Sequence, residues 1–172
     1  HMSDEERVKS AITPRNLVWS GREVTRNAHK VLNRGTPDLF VAGKGLNELL
    51  LLGPANFGPP IDQRNYVSAP LARVVDQANG TGLACTPLDN ANAAAVAGKV
   101  AVIDRGTCAF TVKVKNAQLA GAKAVLIADN AAGSPPLNLA GSDATITIPS
   151  ARVTLDDGGR LKAAIDATPK GR

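Results

Sequence analysis

The chain has 172 residues, 44% of them hydrophobic and 20% charged, with a formal net charge of +5; that is enough apolar material for one packed domain plus an extension, and it argues against a disordered polymer. Aromatic residues make up only 3%, so the core has to be built from Val, Ile, Leu and Ala, and a base-stacking nucleic-acid platform is disfavoured. No run of 18 apolar residues occurs, and the longest candidates, 46–53 and 123–130, have the length of strands rather than membrane spans.

His1-Met2 has the look of a cloning scar. The positive charge is concentrated in 7–34, where Arg7, Lys9, Arg15, Arg22, Arg26, Lys30 and Arg34 face one acid, Glu23. Such a segment suits an acidic surface, a membrane or nucleic acid, but it reads first as a solvated arm beside a neighbouring domain, with Trp19 its one aromatic. Thr25 to Asn33 predicts a short helix stopped at Gly35. Between 35 and 98 turn signals dominate, and the apolar runs 46–52 and 69–75 predict strands. Pro54, Pro59 and Pro60 forbid a continuous helix there. KVAVID (99–104) predicts a strand buried on both faces. After the turn RGTC, the set Phe110, Val114, Ala117, Ala120 and Gly121 recurs at helical spacing, with Lys113, Lys115, Asn116 and Gln118 placed elsewhere on the helix. Gly121 closes that helix, and 122–129 predicts a second buried strand. A strand–helix–strand unit of this kind makes the two strands parallel with a right-handed crossover, an α/β arrangement. A proline-bearing loop, 130–144, follows; 145–150 starts with alternation, 151–155 predicts a short strand, and Asp156 is placed to cap a last helix over about 157–167.

Catalytic patterns are missing. His29 lies in the basic arm and His1 in the scar, so neither a Ser–His–Asp triad nor a Cys–His pair can be assembled with conviction. GxSxG, the P-loop and the two-His zincin pattern do not occur. Asp156-Asp157 is best explained by a helix N-terminus, where the dipole favours acids. Asp129, Asn130, Asn138, Ser142 and Asp143 form an oxygen-rich loop of the kind calcium accepts, but the EF-hand spacing is absent and turn chemistry accounts for the same residues. No cofactor and no metal site is therefore expected. The two cysteines, Cys85 and Cys108, are too few for a zinc site. A disulfide is their simplest use, closing a loop of about 24 residues at roughly 3 kcal/mol and requiring an oxidising compartment; two buried free thiols are the alternative.

A longer pattern carries a resemblance. Gly98-Lys99 opens a hydrophobic strand; Arg105-Gly106-Thr107-Cys108-Ala109-Phe110 follows; a helix with Lys113 and Lys115 ends in Ala120-Gly121-Ala122; and a second strand ends in Asp129-Asn130. Together with 146–165 and ACTPLD at 84–89, this resembles the protease-associated (PA) domain family over about 45–168, most like the PA domains of bacterial secreted peptidases. The resemblance implies an open sheet or barrel of mixed strands flanked by two or more helices. It also implies a Cys85–Cys108 disulfide and an extracellular or periplasmic location. On this basis 1–40 is expected to be a basic extension, 41–168 the PA-like domain and 169–172 a tail. The implied role is non-catalytic: a protein- or peptide-interaction or substrate-access module, its partner a peptide or protein segment or a neighbouring catalytic domain. A purely structural spacer and an independent hydrolase with an unrecognised site are the alternatives.

Open α/β sheets bind ligands beyond the carboxyl ends of parallel strands. Here those ends are Asp104-Arg105-Gly106-Thr107 and Asp129-Asn130-Ala131, with the free amides of a helix start near 109–111 and a forked donor in Arg105. A shallow peptide-contact groove is expected around Arg105, Gly106, Thr107, Asn130 and Ser142. The plainer readings are that Arg105 braces a loop, Gly106 serves backbone geometry, Asn130 forms a turn and Phe110 belongs to the core. The run Leu49–Leu52 reads as a buried strand rather than a partner groove.

Overall fold

A computed structural model describes residues 9–14, 37–43, 46–62 and 66–168. The described strands are β1 (Lys9–Pro14), β2 (Pro37–Gly43), β3 (Leu46–Leu51), β4 (Gly53–Pro54), β5 (Val67–Arg73), β6 (Val100–Asp104), β7 (Ala124–Ala128) and β8 (Ser150–Val153). The described helices are α1 (Asn90–Val96), α2 (Phe110–Leu119) and α3 (Leu155–Asp166). The strands form one mixed sheet in the order β3-β2-β1-β5-β6-β7-β8-β4. β5, β6, β7 and β8 are parallel, and the remaining pairings are antiparallel. β3 and β4 stand at opposite ends of this order, yet only Leu52 separates them. The sheet therefore has to roll up until its margins meet.

The β-branched runs behave as parallel-sheet strands should: every residue of β6 and β7 is buried. Their side chains alternate between two cores. Val100, Val102, Ala124, Leu126 and Ala128 join Leu39, Val41, Leu50 and Leu161 on the side covered by α3. Ala101, Ile103, Val125 and Ile127 join Val96, Val114, Ala117 and Leu139 on the side covered by α2. The expected crossover is present, with β6 and β7 in parallel register from Val100↔Ala124 to Asp104↔Ala128.

β2 runs across 40/41, and β1 pairs with both β2 and β5. Several element expectations are corrected. The helix expected at Thr25–Asn33 lies outside the described residues. The leucine run is only half buried: Leu50 and Leu52 point inward, whereas Leu49 and Leu51 are exposed, because a strand alternates its faces. The last helix starts earlier than expected. Thr154, with extended backbone, is its N-cap and accepts from the Asp157 amide at 3.1 Å, which places Asp156 and Asp157 in the first turn. β8 begins at Ser150, and the alternating segment before it is not a strand: Asp143 turns it by accepting from Thr145, and Pro149 has no amide to donate. Helix α1 was hidden among the turn signals, although Asp89 caps it by accepting from the Asn92 amide at 2.8 Å.

Candidate functional site

The crossover puts two strand ends side by side. Beyond Asp104 the chain keeps one more ladder bond, from the Arg105 amide to the Ala128 carbonyl at 2.9 Å. It then turns sharply through Gly106 (φ 140°) and Thr107 (φ 70°) into α2. Only Gly adopts the first conformation freely, and a β-branched residue at the second is strained.

That turn is fastened from beneath. Cys108 is disulfide-bonded to Cys85, as the resemblance implied, with the Cα atoms 5.8 Å apart. Ala84, just before Cys85, also has a positive φ of 52°. Lys113 falls outside the apolar set that the spacing picked out on α2. It is fully buried, and its Nζ donates to the Leu83 carbonyl at 2.8 Å and the Gly106 carbonyl at 2.7 Å. Asn116, one turn on, donates from Nδ2 to the Ala84 carbonyl at 2.9 Å. One face of α2 thus clamps both loops that the cystine joins. Burial pulls the Lys113 ammonium below the usual lysine range, while Asp76 and Asp104 push it back up.

At the rim, Asp129 is the hub. It accepts from Arg105 Nη1 at 2.8 Å, from Arg152 Nη1 at 3.3 Å and from the Asn130 amide at 2.9 Å. Burial raises its carboxyl, but the hydrogen bonds from Arg105, Asn130 and Arg152 outweigh that and hold it below the ordinary aspartate range. The two arginines differ. The Arg152 side chain is 5% exposed, lies 4.9 Å over the Phe110 ring and donates from Nη2 to the Asn138 carbonyl. The Arg105 side chain is 40% exposed and, among the described residues, is held through Nη1 alone. Its ion pair is worth at most about 1 kcal/mol.

Of the five residues expected to form a groove, three come together. Asn130 Nδ2 donates to the Arg105 carbonyl at 3.3 Å, and Gly106 lies so close that a methyl there would sit 3.7 Å from Asn130 Nδ2. Thr107 is exposed on the same turn. Ser142 is exposed and makes no hydrogen bond to the other four, although its neighbour Gly141 rests on Thr111 at the start of α2. A separate cleft lies beyond β7 and β8, lined by Ala132, Gly133, Ser134 and Thr154 to Asp157. Sequence reasoning missed Asp129 as the hub, Arg152 and Lys113. The signal for Arg152 was an arginine inside an apolar strand, which has to bring its own partners.

Among the described residues no group of three His, Cys, Asp or Glu is placed to hold a metal. Of the oxygens considered for calcium, those of Asp129 accept from two guanidinium groups, Asp143 Oδ1 accepts from Thr145, and the Asn138 carbonyl accepts from Arg152. No described helix is long and apolar enough to cross a membrane.

The comparisons with known proteins agree with this architecture. The PA domain profile matches residues 67–161, more than half of the chain. The chain is 46% identical over 72 residues to vacuolar-sorting receptor 3 of Arabidopsis thaliana, covering 37% of this chain and 12% of the receptor. It is 37% identical over 70 residues to the minor extracellular protease Vpr of Bacillus subtilis (strain 168), covering 41% of this chain and 8% of the protease. The solved aminopeptidase from Aneurinibacillus sp. strain AM-1 superposes with a TM-score of 0.54 and 32% identity over 72% of this chain and 26% of its own. The chain thus spans only a small part of each of these relatives, which are peptidases on one side and a sorting receptor on the other. The parallel crossover, the cystine that closes its turn and the profile match over 67–161 lead to one assignment: the chain belongs to the PA domain family.

Proposed function

We propose that this PA domain is a non-catalytic interaction module, acting in an extracellular or periplasmic setting, that receives a peptide or protein segment on the strand-end rim formed by Arg105, Gly106, Thr107 and Asn130, with the Ser142 loop beside it. The observation that carries this reading is the state of Arg105. One nitrogen is held by Asp129, and 40% of the side chain stays open to solvent. A fork already held at one nitrogen loses less entropy when its other nitrogens donate to carbonyl or carboxylate oxygens. Gly106 has no side chain to shield the backbone beside it, and Asn130 adds an amide at the same edge.

The Arg105–Asp129 bond also supports a second reading, in which the rim is only a brace inside a spacer domain. A titration separates the two. With a mixture of random-sequence peptides added to isotope-labelled protein, amide shift changes are expected at residues 105–107 and 130, and Arg105→Ala is expected to weaken binding at least ten-fold. No shifts at the rim, or shifts that survive Arg105→Ala unchanged, would favour the spacer. Hydrolysis of the added peptides by the purified chain would overturn the non-catalytic assignment.

A further inference from the structure

The surroundings of the cystine are unequal on its two sides. Lys113 Nζ, already donating to two carbonyls, lies 3.8 Å from Cys85 Sγ. An ammonium has three N–H groups, so the third is available to that sulfur. The Leu83 and Gly106 carbonyls lie 3.7 and 3.9 Å from Cys85 Sγ, on the side of the clamp. Among the described residues no hydrogen bond reaches Cys108 Sγ, which lies on the turn between exposed Thr107 and exposed Ala109, and both half-cystines are half-buried. Two acids also face the lysine. Asp76 is engaged by the Leu83 and Ala84 amides, and Asp104 by the Gly82 amide and Lys162. Lys113 is therefore the charged group in direct contact with the sulfur.

We infer that the Cys85–Cys108 bond is a reducible latch on the strand-end rim, polarised by Lys113 so that an external dithiol attacks Cys108 and Cys85 departs as the thiolate. The thiolate of the dithiol bonds to Cys108 Sγ, and the sulfur–sulfur electron pair moves to Cys85 Sγ beside the ammonium. The second thiol of the reagent then displaces Cys108. The protein gains two electrons and two protons, and the dithiol becomes a cyclic disulfide. A leaving thiol with a stabilised anion departs faster, and a neighbouring ammonium supplies that stabilisation.

Opening the latch also relaxes the rim. The residues before both half-cystines, Ala84 and Thr107, are held at positive φ. Thr107 follows Gly106, whose carbonyl is held by Lys113, and Arg105, whose carbonyl is held by Asn130. The β6–β7 ladder and its two cores do not run through the sulfurs. Reduction is thus expected to loosen 83–85, 105–108 and 129–130 while leaving the crossover in place. This inference does not depend on peptide binding at the rim.

The test exposes the oxidised chain briefly to reduced glutathione and then quenches with excess iodoacetamide, which caps the released protein thiolate, with mass spectrometry to locate each adduct. Glutathione is expected on Cys108 and carbamidomethyl on Cys85, at least ten-fold over the reverse. An even split, or a majority of glutathione on Cys85, overturns the polarity. With Lys113→Met the preference is expected to disappear; a preference retained in a folded Lys113→Met protein overturns the role of the lysine. For the latch itself, the amide spectrum after dithiothreitol treatment is expected to change at the three rim segments and not in β6 or β7. Collapse of the whole spectrum, or no change at the rim, overturns it.

Discussion

Replacing Lys113 by Met tests whether the clamp under the rim stabilises the domain. The two side chains are similar in length and apolar stem, so the change removes the charge and its donors with little loss of packing. Wild-type Lys113 makes two charge-assisted hydrogen bonds, to Leu83 and Gly106, from a fully buried position. Bonds of this type contribute about 1.5–3 kcal/mol each when buried. Leu83 and Gly106 are only half buried, so water can reach their carbonyls and the lower end applies. Against this stands the cost of keeping an ammonium out of water, which shows in a lysine held below its ordinary range by burial. The net expectation is a loss of roughly 2 kcal/mol, or a fall in Tm of about 4–8 °C for a domain of this size. Urea melts at pH 7 measure it. Because the folded-state pKa is lowered, the unfolded chain binds the proton more readily, and wild-type stability should rise with pH between that lowered value and the ordinary lysine range. The Met variant should lack that rise. A Met variant as stable as wild type, with the same pH slope, would refute the reasoning: the lysine would then be a buried charge whose bonds merely break even.

The remaining expectations concern the hub, the helix glycines and the cystine. Asp129 has a lowered folded-state carboxyl, so its contribution is complete above the unfolded aspartate value of about 3.9 and disappears as pH falls through the folded value; urea melts from pH 2 to 5 should show a shallower acid slope for Asp129→Asn than for wild type. Adjacent glycines of α3 should respond with opposite signs. Gly158→Ala puts a methyl 2.6 Å from Ala128 Cβ and should cost about 1–3 kcal/mol, whereas Gly159→Ala meets nothing within 4 Å and should gain up to about 1 kcal/mol of helix propensity. Equal effects in urea melts would contradict the packing. The double variant Cys85→Ser, Cys108→Ser should lose roughly 3 kcal/mol by the chain-entropy relation, read as a lower thermal midpoint without loss of the α/β circular dichroism spectrum.

Periodicity made the crossover legible because β6, α2 and β7 each have one dominant signal: continuous β-branched runs for the strands and a three-four spacing for the helix. The cystine was legible through the resemblance. Elements with weaker local signals were not. α1 is a short alanine-rich helix embedded among turn formers. Thr154 was passed over as a cap because Asp156 is the stronger capping residue by type, and only the backbone path decides between them. Lys113 and Arg152 escaped for a common reason. Spacing says where a polar residue falls on a helix or strand, but not that carbonyls or a carboxylate wait for it inside.

The single residue between β3 and β4 leaves the rolled sheet with a seam. β4 zips onto β8 through Gly53↔Arg152 and Pro54↔Ala151, partners about a hundred positions further along the chain. Such a closure is among the most non-local events the topology contains, and it comes late because loop-closure entropy has to be met before the contact returns anything. Until β8 has left the ribosome, a growing chain has nothing to fasten β4 to, and the leucines of the β3 margin stay uncovered. A host protein that carries this module therefore has to protect a half-rolled sheet during synthesis, and any truncation ahead of Ser150 would make that exposure permanent.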